Sequence, residues 1–290
     1  MKFDLKANKE HKKISFYNNK SDLNSSSLLK NRNFFLIKKI KVCLIIILFF
    51  LIYNAASYIT GFKNISIIFK LPSGFIWLLK NFIPDSASLK YLPAILKSFG
   101  ETCAIAVAAS TTAGFLAFGL AVLGSETTGI NKFFKLGLTL SASFFRNIPL
   151  VAWAMLLLFS FKQNNFTGFA ALLIVTFGHL LRAFKEMIDE TSSESFEALR
   201  AAGSSYISAV FQGVLPNAAP ALVSWLLYTI ENNVRDSALI GILTGTGIGF
   251  LFNFYFKSFR YNSAGLIILV LVIAVLLIDI VSNRIRKGLL

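Results

Sequence analysis

The chain has 290 residues, of which 55% are hydrophobic and only 15% charged, with a mean hydropathy of +0.66, a mix that argues against a water-soluble globular domain. Its formal charge of +15 is not spread along the chain, because eleven of the 29 Lys and Arg precede Val42, so a basic nucleic-acid-binding surface is not expected. Cys43 and Cys103 have no Cys neighbour at ligand spacing, which argues against a disulfide framework and a zinc site.

Residues 1–41 carry Asn and Ser clusters among their basic residues and little to bury, and are expected to form a basic cytoplasmic tail. The first apolar run starts at Val42, too far along for a signal peptide, and residues 42–60 are expected to stay as a first transmembrane anchor. Between Lys41 and Lys63 there are 21 uncharged residues, between Glu101 and Glu126 there are 24, between Lys162 and Arg182 there are 19, and between Arg260 and Asp279 there are 18. About 20 apolar residues cross a bilayer as a helix. The expected fold class is therefore all-α, a polytopic membrane bundle with about six spans: Val42–Tyr58, Thr102–Leu123, Lys135–Phe161, Thr167–Phe184, Ala218–Leu243 and Gly265–Ser282. Residues 61–92, with Trp77 and several Phe, read as an extracytoplasmic or interfacial amphipathic segment, and residues 93–290 as the core. With both termini inside, 19 Lys and Arg fall on the cytoplasmic side and eight outside. The second span carries Ala109, Ala113, Ala117 and Ala121 at i+4 spacing, beside Ala106, Ser110 and Gly114, a row that lets helices approach closely.

Three stretches carry polar chemistry. Arg146 precedes Ile148-Pro149 with no acidic residue near in sequence; a guanidinium in an apolar span either caps a helix end, reaches the interface or meets a passing oxyanion. From residue 185 to 216, Thr191 and Glu194 have capping-box spacing, Gly203 suits a left-handed helix end, Ser204 or Ser205 suits the next cap, and Leu215-Pro216 opens the following span. A helix, turn and helix at the cytoplasmic face are expected. Glu231-Asn232-Asn233-Val234-Arg235-Asp236 then interrupts apolar sequence; Glu231 and Arg235 are spaced to pair, as are Asn232 and Asp236, either as an interhelical lock or along a water-filled path. Gly245, Gly247 and Gly249 follow, a break or tight approach and not a dinucleotide fingerprint, since Phe250 stands where the third glycine would be. His179, in an apolar span, reads as a packed, hydrogen-bonded residue.

The spacing of Glu197-Ala198-Leu199, Gly203 and Leu215-Pro216 resembles the signature loop of permeases of ABC importers, with Leu199 where that pattern usually has Ala and Gly213 where it usually has Ile. Together with Arg146-Asn147-Ile148-Pro149, the Glu231 to Arg235 stretch, the glycine turn and Asp279, the chain from about Leu92 onward resembles the phosphonate-type branch of that family. The resemblance implies a type I importer permease fold and an ATPase-coupling loop using Glu197, Ala198, Leu199, Gly203, Leu215 and Pro216. It further implies a homodimer, an ATP-binding partner subunit, an extracytoplasmic substrate-binding protein and a multi-pass location in the cytoplasmic membrane among its lipids. Arg146, Glu231, Asn232, Asn233, Arg235, Gly245 and Gly247 are the candidate translocation-path residues. No phosphate-cradling Gly-rich loop with Lys, HExxH pair or serine elbow occurs in the sequence, so no catalytic residue, metal or cofactor is expected on this chain, and ATP is expected to be used by the partner. The expected cargo is a phosphonate or a related phosphorus oxyanion, phosphite or phosphate. Alternatives are a permease for methionine or another amino acid, or an ion-coupled secondary transporter, which would show internal repeats that this sequence lacks.

Overall fold

Because backbone polar groups in lipid must be satisfied within their own segment, apolar sequence of this length folds as helix, and the computed structural model, which describes residues 38–61 and 64–289, holds only helices in its regular elements. The expected tail lies outside the described residues up to residue 37, and residues 38–41 belong to the first helix. Among the described residues, five helices are long and apolar enough to cross a membrane, or six when a sharply bent pair is taken as one span. Contacts divide the chain into two units, residues 1–76 and 77–290.

In the first unit, α1 (Lys38–Thr60) is closed by Gly61 at φ 67°. It leads to α2 (Asn64–Phe82), which contains Pro72 and ends in the second unit. Much of the expected interfacial segment is thus helix. In the second unit, Asp85 starts a short 3₁₀ turn, Ser88–Tyr91, by accepting a 2.8 Å bond from the Ser88 amide, and Pro93 begins α3 (Leu92–Gly124) at a position where its missing N–H has no helical partner to lose. Ala106, Ala109, Ser110, Ala113, Gly114, Ala117 and Ala121 are all buried, and α3 packs chiefly on α6 and α8 through this row of small residues.

The third expected span is broken. Helices α4 (Lys132–Asn147) and α5 (Leu150–Phe161) meet at 87°. Pro149 has no N–H to give Phe145 and holds Ile148 extended, at φ −83° and ψ 124°. The Phe145 carbonyl accepts instead from the Trp153 indole at 3.3 Å, so the corner retains a bond.

Helix α6 (Asn165–Ala201) runs 37 residues without a break, about 55 Å at 1.5 Å per residue and well beyond a bilayer core. The expected capping box inside it does not form: Thr191 Oγ1 donates back to the Met187 carbonyl at 2.8 Å, as a threonine within a continuous helix does. The next helix also starts earlier than Ala218. It runs from α7 (Tyr206–Ala209) through one π-helical turn, Val210–Val214, into α8 (Leu215–Thr244). A wider turn fits there because Pro216 cannot donate, and Leu215 N–H reaches back five residues to Val210. Gly245 ends α8 in the left-handed conformation, α9 (Gly247–Lys257) doubles back against it, and α10 (Tyr261–Leu289) completes the bundle.

Candidate functional site

Two places gather the polar residues of the second unit. The first is the turn after α6. Gly203 has φ +87° with open space around it, its amide donates to Arg200 at 3.1 Å, and the Ser204 amide donates to Leu199 at 3.0 Å. This paired closure satisfies the last helix carbonyls and requires the left-handed residue. Arg200 Nη1 adds a 2.7 Å bond to the Ser204 carbonyl, and Ser205 caps the next helix by accepting from the Ser208 amide at 3.2 Å. Glu197 and Ala198 are exposed on the last turn of α6. Leu215 and Pro216 lie across from them, tied to α6 through Ser192 Oγ, which donates to the Val214 carbonyl at 3.2 Å, and Asn217 Nδ2, which donates to Ser195 Oγ at 2.8 Å.

Leu199 and Gly213 touch. A Cβ on Gly213 would stand 2.9 Å from Leu199 Cδ1 and 3.4 Å from the Ser195 backbone. The two positions at which the loop departs from its usual pattern are therefore one packing unit, with the bulk moved from the second helix to the first.

The second place is a cavity of about 580 Å³ walled by the α4–α5 corner, α6 and α8. Arg146 enters it from the end of α4, Thr176 and His179 from α6, and Tyr228, Asn232, Asn233 and Asp236 from α8. Arg146 Nε is buried without a hydrogen-bond partner, and no ion pair to Arg146 is found among the described residues. It caps no carbonyl among the described residues. Its position depends on Gly178 of α6, where a Cβ would lie 2.9 Å from both the Ala142 carbonyl and the Arg146 amide, so α4 and α6 cross backbone to backbone at the base of the arginine.

The polar stretch of α8 divides by helical face. Asn233 is buried and locks three helices, its Nδ2 donating at 2.8 Å to Ser110 Oγ of α3 and at 2.8 Å to Thr176 Oγ1 of α6. Glu231, also buried, accepts from Arg235 at 2.6 Å and meets Arg286 of α10 at 3.6 Å, away from the cavity. Arg286 has no partner suggested by sequence spacing, since it arrives from another helix. The expected Asn232–Asp236 bond is absent: Asn232 Oδ1 accepts from Arg235 at 3.0 Å, and Asp236 faces the cavity with no hydrogen bond or ion pair among the described residues. His179, expected to be packed and bonded, is exposed on the same wall without a hydrogen bond among the described residues, because Gly178 and Leu180 take the buried positions of that turn.

Gly245 and Gly247 do not line the cavity. Gly247, at φ +60°, lies where a Cβ would meet Thr102 Oγ1 of α3, which accepts instead from the Ile248 amide at 2.9 Å. Gly249 lies against the Ala238 carbonyl of α8, where any Cβ would overlap it. These glycines make the α8–α9 turn and its close packing. His179 and Asp236 line the cavity although neither is among the expected path residues, and each carries one sequence signal, an ionisable group inside an otherwise apolar span.

A bundle of membrane-length helices, with a polar cavity between them and a helix-turn-helix joining two of them, defines a membrane transport subunit. Residues 116–289 match the family described as binding-protein-dependent transport system inner membrane component, and the chain belongs to it. It is 28% identical over 218 residues, 74% of this chain and 76% of its relative, to the putative phosphite transport system permease protein HtxC of Stutzerimonas stutzeri. Over 117 residues, 40% of this chain and 96% of the relative, it is 31% identical to the putative cryptic phosphonate transport system permease protein PhnE2 of Escherichia coli K12. The fold superposes on a chain of the inward-facing MetNI methionine ABC transporter with a TM-score of 0.60 at 22% identity, covering 68% of this chain and 96% of that one. The protein is thus a multi-pass component of the cytoplasmic membrane with the type I importer permease fold.

Proposed function

We propose that this chain is the permease subunit of an ATP-driven, binding-protein-dependent importer of a phosphorus oxyanion, a phosphonate, phosphite or phosphate. The observation that carries the substrate class is Arg146, a guanidinium facing the cavity with an unpartnered Nε. A half-buried guanidinium with no counter-ion among the described residues finds its compensation in a passing anion, and its forked donors suit a tetrahedral oxyanion. Similarity to phosphite and phosphonate permeases supports the same class.

In this reading both termini are cytoplasmic, two copies form the pathway, and an extracytoplasmic binding protein delivers the cargo. The turn at Gly203, with Glu197, Ala198, Leu199, Leu215 and Pro216 around it, docks on a separate ATP-binding subunit, which hydrolyses ATP. The cavity residues Arg146, Asn232 and Asn233 line the path, while Glu231, Arg235, Gly245 and Gly247 hold the helices that form it. Uptake by the complete transporter in proteoliposomes tests the proposal. Arg146→Gln should abolish phosphite and methylphosphonate uptake with assembly intact, and Arg146→Lys should retain part of it. Unchanged uptake in both variants removes Arg146 from the path, and uptake of methionine in place of either anion refutes the substrate class.

A further inference from the structure

The cavity holds a carboxylate as well as a guanidinium. Asp236 projects from α8 into the same space as Arg146, half-buried, and the positive charge beside it on its own helix, Arg235, is already engaged by Glu231 at 2.6 Å and Asn232 at 3.0 Å. The other charged groups around the space are Arg182 and Glu186 of α6, bonded to each other at 2.6 Å. Asp236 and Arg146 are therefore the two charged side chains of the cavity that make no ion pair or side-chain hydrogen bond among the described residues, one a pure acceptor and the other a pure donor.

We infer that Asp236 is the specificity determinant of this cavity, accepting a hydrogen bond from the P–OH of a singly protonated phosphorus oxyanion while Arg146 donates to its unprotonated oxygens. The inference rests on the importer reading above. An ionised carboxylate accepts only, so it gains a bond from an oxyanion that still carries a proton and faces a lone pair when the anion carries none. Sites built to bond one particular hydrogen reject analogues lacking it far more strongly than apolar pockets reject a change of size, because the site's own polar group is left unpaired. The amide hydrogens of Asn233 are held by Ser110 and Thr176, so Asn233 has no donor left for an anion.

Methylphosphonate and methanesulfonate test this, because near neutral pH both are tetrahedral anions of the same size, and the methylphosphonate monoanion differs in carrying one proton. Binding is measured by calorimetry on the full chain with its ATP-binding partner in lipid nanodiscs, without the external binding protein, whose own selectivity would mask the result. The wild type should prefer methylphosphonate by at least about tenfold. Asp236→Asn, whose amide both accepts and donates, should bring the two anions to within about threefold of each other, and Arg146→Gln should weaken both. If the Asn variant does not assemble, the wild type is titrated upward in pH: the preference should vanish as methylphosphonate loses its second proton, while methanesulfonate binding stays level. A wild-type preference near one, a preference untouched by Asp236→Asn or by pH, binding of neither anion, or tighter binding of methionine than of either overturns the inference. Phosphonate uptake by the complete transporter with the preference unmoved would overturn the role of Asp236 alone and leave the importer reading standing.

Discussion

Exchanging the sizes of Leu199 and Gly213 should reveal an energetic coupling that neither position shows alone. In Gly213→Ile the first side-chain atom stands 2.9 Å from Leu199 Cδ1 and 3.4 Å from the Ser195 backbone, and the branched remainder must displace Leu199 or push α6 from the π turn. Overpacking of this kind costs about 1–3 kcal/mol, and the better helix propensity of Ile over Gly offsets only about 0.5 kcal/mol of it. Leu199→Ala removes a partly buried side chain packed on the core cluster that includes Phe196 and Val214, at a cost of about 1–2 kcal/mol after allowing for its exposure. Together the substitutions restore the usual arrangement of small residue first and large residue second, so the double variant should lie within about 1 kcal/mol of wild type, a coupling of about 1–3 kcal/mol. A thermal or denaturant unfolding series of the four proteins in one detergent measures the cycle, with uptake as a second readout. Additivity within about 0.5 kcal/mol would refute the claim that these residues form one packing unit.

Gly178→Val should separate α4 from α6, because its nearest obstacles are backbone atoms that have no rotamer to yield; a loss of about 1–3 kcal/mol in stability, with reduced uptake, is the expected outcome, and unchanged melting would contradict the close crossing. Gly203→Asp should cost about 1 kcal/mol at its left-handed φ and, by adding charge to the turn, separate ATP hydrolysis from uptake without removing the chain from the membrane. Normal coupled transport in that variant would sink the docking role of the turn. In a background lacking Cys43 and Cys103, an impermeant thiol reagent applied from outside should label Asp85→Cys and spare Ser25→Cys, and the reverse pattern would overturn the proposed orientation.

Sequence alone determined the elements whose causes are local. Long uncharged runs dictate membrane helices because an unpaired backbone cannot remain in lipid, Gly203 dictates a left-handed helix end, and the small-residue row of α3 marks its buried face. Residues four apart on one helix, Glu231 and Arg235, were likewise legible as a pair. What depended on another helix was not legible. A proline at 149 disfavours an unbroken helix, but whether the two halves continue one path or turn by 87° is settled by the indole of Trp153 and the packing of both halves on α6. Arg286 reaches Glu231 only because α10 returns beside α8. Thr191 and Glu194 have the spacing of a cap, yet burial of Ile188, Ser192 and Phe196 on one face keeps α6 continuous through them. Asp236 and Asn232 are four apart, as Glu231 and Arg235 are, but Arg235 takes the amide oxygen of Asn232 and the crossing at Gly178 places Arg146 on the cavity that Asp236 faces. Spacing along a helix determines which side chains share a face; only the packing of several helices decides what that face meets, because burial and desolvation are properties of the assembled bundle.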